Sequence, residues 1–225
     1  MNTINELLAY WDSDEGRPFK GELIDMVAYE ENPGSLSCLC AQGQVLHLIG
    51  GMSHDDLNRT DQVNADKLTA DLLKISRAHA VLLRNINDSV EGAPSIVLTD
   101  PGKVLGDQWS KLLDFWWALD QFTPAQWDAA GAAAWDAAGA AAWAAARAAA
   151  RAAAGAAAWD AARAAAGAAA WDAAGAAAWD AAGASIEIQG AALMRERGQA
   201  FYFLPFFGFA DPEAIPARPE TYGIA

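Results

Sequence analysis

The stretch from Thr60 to Asp88, TDQVNADKLTADLLKISRAHAVLLRNIND, organises the first half of the chain. Val63, Leu68, Leu72, Leu73, Ile75, Ala80, Leu82, Leu83 and Ile86 recur with a helical period, which predicts one long helix or two abutting ones. A segment of this length with one apolar face is expected to act as the central scaffold of an N-terminal helical domain.

Upstream, Leu7, Leu8 and Trp11 share a helical face, with Thr3 placed to cap the helix and Asp12 to Gly16 to end it. Leu23, Ile24, Val27 and Ala28 predict a second helix over residues 20–30, closed by the Asn32-Pro33-Gly34 turn. The apolar run from Cys38 to Ile49 reads as a buried helix ending at Gly50-Gly51, although Gly43 within it keeps a strand open as the alternative. Downstream, Gly92, Pro94 and Asp100-Pro101-Gly102 predict a loop around a short extended piece, Ile96-Val97-Leu98. Trp109, Leu112, Leu113, Trp116 and Trp117 then mark a further helix over 106–121.

From Trp127 to Gly183 every fourth residue is Trp, Gly or Arg, and the positions between are almost all Ala, with Asp after most tryptophans. Thr123 and Pro124 supply an N-cap and a first-turn proline ahead of it. Alanine strongly favours helix, while each glycine costs about 1 kcal/mol relative to it. A four-residue step on a helix moves the marked position about 40° around the axis, so a straight helix would spread its tryptophans over every face. A repeat longer than 3.6 excludes ordinary left-handed coiling. One strongly wound helix and several short helices folded back on each other both remain open. In either, the indoles are expected to be buried against the Gly and Ala surface.

The AAWDAAG and AAWDAAR units, the lead-in Thr123-Pro124-Ala125-Gln126-Trp127, and the exit through Glu187-Ile188-Gln189-Gly190 to Phe203-Leu204-Pro205 and Phe207-Gly208-Phe209 resemble uncharacterised bacterial and bacteriophage proteins with Ala-Trp-Asp repeats. The resemblance spans roughly residues 110 to 215. It implies a phage or mobile-element origin and carries no activity or site residue with it.

The net charge of -14 and pI of about 4.4 oppose binding to nucleic-acid phosphates or anionic lipid. Charged residues interrupt every apolar stretch before it reaches the length of a membrane span. The N-terminus, acidic and polar, does not read as a secretory signal, and Cys38 and Cys40 read as reduced thiols, so a cytoplasmic location is expected. No nucleotide-binding, nucleophile-elbow or metal-ligand motif occurs, and neither a metal nor a cofactor is expected.

Four residues are singled out for ligand binding. Arg147 and Arg151, neighbours on a helix, would clamp an anion such as a phosphate. His79, flanked by Arg77 and Arg84, would meet an anionic ligand, with Arg84 beside it. His54-Asp55-Asp56 offers acid–base chemistry or a divalent-ion site, against the simpler reading of a helix capped by Ser53. The dense aromatic run FYFLPFFGF must be buried, onto the helices or onto another subunit, and a homo-oligomer is expected.

The expected fold is all-α: an N-terminal helical domain over 1–122, the Ala/Trp/Gly array over 123–184, and a capping helix with an aromatic, Pro-rich tail over 185–225. The expected function is a non-catalytic binding protein, a phage-encoded inhibitor sequestering a host protein or a small signalling molecule, and the expected partners are a host protein or a small anionic ligand. A structural oligomerisation role, and an enzyme with its site in the N-terminal domain, are the alternatives.

Overall fold

Short polar side chains start most of the helices by accepting their free amide hydrogens. The computed structural model describes residues 3–13, 16–89, 94–133, 136 and 204–223, with the backbone alone at 205 and 206. Its helices are α1 (Ile4–Trp11), α2 (Met26–Glu31), α3 (Ala41–Leu48), α4 (His54–Arg59), α5 (Gln62–Leu73), α6 (Arg77–Ser89), α7 (Ile96–Thr99), α8 (Gly102–Leu105) and α9 (Trp109–Asp120). Thr3, Asp25, Ser53 and Asp61 cap α1, α2, α4 and α5 through their side-chain oxygens. Among the described residues there is no strand, only two isolated bridges, so the described part is all-α. No described helix is long and apolar enough to cross a membrane.

The chain divides into two compact units, residues 1–121 together with 215–225, and residues 122–214. In the first, α6 is the central element: every residue from Ala78 to Leu83 is buried. It packs against α3, α5, α7 and α9. The scaffold read from residues 60–88 is thus two helices, broken at Lys74, Ile75 and Ser76.

The buried side of α5 is not the one its large apolar residues mark. Val63 and Leu68 are 74% and 38% exposed, while Ala65, Asp66, Thr69, Ala70 and Leu73 face inward. Small side chains on that face let α5 lie close to α3 and α6, and Asp66 is satisfied there. Gln42 Nε2 donates to Asp66 Oδ1 at 2.8 Å and to the Ala80 carbonyl at 3.0 Å, and Gln62 Nε2 donates to Gln42 Oε1 at 2.8 Å. A buried carboxylate is tolerated when it is hydrogen-bonded on this scale.

Residues 19–24 are not helical where a helix was expected: Phe19 and Ile24 form isolated bridges, and the chain bends through residues 20–23 between them. Phe19 N–H donates to the Leu39 carbonyl, Cys40 N–H to the Leu23 carbonyl and Asp25 N–H to the Cys38 carbonyl. Leu23 and Ile24 are buried through this pairing, and α2 begins only at Met26. The run from Cys38 to Ile49 shares the arrangement, since Leu39 and Cys40 bridge and helix α3 starts at Ala41. Ile96-Val97-Leu98 forms a turn of helix, α7, with Val97 fully buried.

In the second unit, Thr123 and Gln126 cap one another ahead of helical residues 124–133. Phe122 packs against Trp127, Phe207 and Phe209 with ring centroids 5.5 to 6.3 Å apart. Phe207 and Phe209 of the aromatic run therefore have partners within their own chain. The rest of the tetrapeptide array and the expected capping helix lie outside the described residues.

Gly43 explains itself in this fold. A Cβ there would stand 2.2 Å from the Leu23 carbonyl oxygen, a backbone atom held in place by the bridge. Gly43→Ala is therefore expected to destabilise the protein by about 1–3 kcal/mol, although the same change in an open helix gains up to ~1 kcal/mol. Urea unfolding measures it, and a midpoint at or above that of the parent protein would contradict the close approach.

Candidate functional site

Helix α5 ends on Lys74 in the left-handed region, φ 57° and ψ 40°, the one non-glycine residue with positive φ among those described. The chain turns through Ile75 and Ser76 into α6, and the first amides of α6 are claimed from three directions. Ser76 Oγ accepts the His79 N–H at 3.1 Å, Tyr222 Oη accepts the Ser76 N–H at 3.1 Å, and Asp120 Oδ2 accepts the Arg77 N–H at 2.8 Å. Arg77 Nε donates to the other oxygen of Asp120 at 3.2 Å, which ties the start of α6 to the end of α9.

Tyr222 belongs to a C-terminal strap laid over the first unit. Ile215 anchors it by burial. Arg218 forms an ion pair with Asp114 and donates to the Ser110 carbonyl at 2.8 Å, with its guanidinium over the rings of Trp109 and Tyr222. Gly223 N–H donates to the Lys74 carbonyl at 2.8 Å.

His79, 3% exposed, is locked between α7 and this strap. Its Nε2 lies 2.8 Å from the Val97 carbonyl, which can only accept, so Nε2 carries the proton and Nδ1 is bare. Tyr222 Oη lies 3.3 Å from Nδ1 and 3.2 Å from Ser76 Oγ, to which its hydroxyl donates. Burial drives the His79 pKa down to about 4; the Val97 hydrogen bond opposes this and the Arg218 charge adds to it. The same burial raises the Tyr222 phenol. The pair is neutral at pH 7, and the Tyr222 hydroxyl is taken up by Ser76 and His79, so it positions the ring and the strap.

Tyr222 is one of the residues lining a cleft of about 610 Å³, within the size range of small-molecule sites. Lys67, Asp71 and Lys74 line it from α5, Arg77 from α6, Trp117 and Asp120 from α9. Lys67 pairs with Asp71 at 2.8 Å and Arg77 with Asp120 at 3.2 Å. Lys74 has no carboxylate within ion-pair distance among the described residues. Three cations against two carboxylates make the cleft net positive in a chain of net charge -14.

The structure separates the residues that the sequence singled out. Arg77 lines the cleft, and His79 lies behind its wall, in touch with it through Tyr222. Arg84 forms an ion pair with Asp66, Nη2 to Oδ2 at 3.3 Å, and belongs to the buried network with Gln42 and Gln62. Arg147 and Arg151 lie outside the described residues. His54, Asp55 and Asp56 open α4, where Ser53 Oγ donates to Asp56 Oδ2 at 2.6 Å and accepts the Asp56 N–H. Those bonds hold the Asp56 carboxyl below its ordinary pKa. Lys67, Lys74, Trp117 and Tyr222 carried no signal of their own, because the strap that completes the cleft arrives almost 150 residues after Lys74. Among the described residues, no three His, Cys, Asp or Glu side chains are grouped to hold a metal ion. Compared with family models, curated proteins and solved structures, the chain matches none.

The His79 environment sets a pH dependence. Its folded pKa of about 4 lies below the ordinary 6.5, so the unfolded chain binds the extra proton and stability falls as pH drops from 6.5 towards 4. Between pH 6.5 and 5 the protein is expected to lose roughly 1.5 kcal/mol more than its His79→Gln variant, as measured by chemical denaturation. Parallel curves for the two would show that His79 is not buried in its neutral form.

Proposed function

We propose that the protein is a non-catalytic binding protein that sequesters a small anionic molecule with a flat ring system in the Lys74 cleft. The observation that carries this reading is the Lys74 ammonium, without an ion-pair partner among the described residues, at a cleft that Trp117 and Tyr222 also line. An anionic group on the ligand would complete its charge, with Lys67 and Arg77 adding attraction, while the aromatic side chains accommodate a planar body. A locally positive cleft in a chain of net charge -14 favours a small anion over a phosphate polymer, which the chain as a whole would repel.

The resemblance of the repeat to bacteriophage proteins fits a captured molecule that carries a signal in a host cell. The neutral, fully engaged His79–Tyr222–Ser76 cluster supports binding over catalysis, since its polar atoms are occupied by one another.

Lys74 also lets function be separated from folding. A non-glycine residue in the left-handed region costs about 1 kcal/mol, so Lys74→Gly relieves strain while removing the cation. The variant is expected to unfold at the same or a higher temperature. Native mass spectrometry of the intact chain recovered from host cells should show a retained small-molecule mass that Lys74→Gly loses. A parent protein with no bound mass, or a variant that keeps it in full, rules the reading out.

A further inference from the structure

We propose that His47 and His54 form a two-imidazole site for a borderline divalent transition ion of the zinc, nickel or copper(II) type. His47 lies in the last turn of α3, and His54 is the first residue of α4, across the tight Gly50-Gly51 turn. Their ring centroids are 4.5 Å apart, with the planes inclined at 44°. Two imidazoles bound to one ion at the usual nitrogen–metal distance have centroids about 4.5–5 Å apart for ligand angles of about 90–110°.

The hydrogen bonding prepares both rings. His47 Nδ1 lies 2.7 Å from the Met52 carbonyl, which can only accept, so Nδ1 bears the hydrogen and the Nε2 lone pair is free. A carbonyl behind one ring nitrogen is the arrangement that orients metal-binding histidines. His54 Nε2 is shielded from solvent and has no hydrogen-bond partner, an unsatisfied state that coordination would resolve. Tyr29 stacks on the His54 ring at 4.3 Å and 25°, which fixes its plane.

The donor set selects the ion. Imidazole nitrogens suit zinc, nickel and copper and do not suit calcium or magnesium, which take oxygen ligands. No third His, Cys, Asp or Glu joins the pair among the described residues, so water fills the remaining positions. The chain has three histidines, and both nitrogens of the third, His79, are engaged in the interior. Histidine-dependent metal binding by this protein therefore falls on His47 and His54.

The test is calorimetric titration of the full, untagged chain with Zn²⁺, together with ring-nitrogen NMR of its three histidines. One equivalent of Zn²⁺ is expected to bind, shifting the ring nitrogens of His47 and His54 and leaving those of His79 in place. His47→Ala and His54→Ala are each expected to weaken binding at least about tenfold with the helical circular dichroism retained. Should either variant not fold, the nitrogen shifts of the parent protein decide the matter alone. No uptake at millimolar Zn²⁺, uptake with unshifted rings, or binding that both folded variants keep overturns the proposal.

Discussion

The complete burial of α6 between Ala78 and Leu83 is the constraint from which the rest of the first unit follows. A helix enclosed in this way leaves little water to satisfy the polar groups around it, so most of them find a partner in the protein, Thr69 Oγ1 and Trp116 Nε1 being buried without one. At its N-terminal end the partners come from far away in sequence: Asp120 from α9, Tyr222 from the strap. Along its body they come from α3 and α5, where Gln42 reaches both the Ala80 carbonyl and Asp66. At its C-terminal end Asn87 donates to the Phe19 carbonyl at 2.7 Å, and Asp88 accepts the Gly21 N–H at 3.0 Å, which secures the bend between Phe19 and Ile24. The order of elements around the core is set by where those polar obligations can be met.

This constraint also explains what could and could not be read from the residues alone. The helical character of 60–88 and 109–120 was legible because apolar periodicity records a helix whatever it packs against. The buried face of α5 was not, because Ala65, Thr69 and Ala70 contribute little to an apolar pattern and yet permit the closest approach. The 19–24 segment departs from the expected helix for a related reason: Leu23 and Ile24 have helical spacing with Val27 and Ala28, but they are buried by backbone pairing with Cys40 and Leu39, which no local pattern records. Gly43, which weakened the helical reading of its segment, is there because the Leu23 carbonyl occupies the space of a Cβ.

The cleft shows the same limit more sharply. His79 and Arg77 drew attention because they stand together in an apolar-periodic segment, and both belong to the neighbourhood of the cleft. Arg84, two turns further along the helix from Arg77, points to Asp66, a pairing that no local pattern encodes. Lys74 reads in sequence as an ordinary charged residue at a helix end. Its significance depends on a backbone conformation and on a strap that closes the site from the other end of the chain.

Lys74 is where fold and site bear on each other most directly. A left-handed C-cap is a position where glycine is the physically favoured residue, and the surrounding bonds hold the conformation regardless: Lys74 N–H and Ile75 N–H both donate to the Ala70 carbonyl, and the Lys74 carbonyl accepts from Gly223. The backbone at this turn is thus determined by its neighbours, and the side chain is free of any structural duty. A lysine there costs stability, and with no carboxylate within ion-pair distance among the described residues it brings an unpaired cation to the cleft that it lines together with Trp117 and Tyr222. Because the turn is held by backbone bonds, exchanging that side chain changes the charge of the cleft without requiring any change in the core beneath.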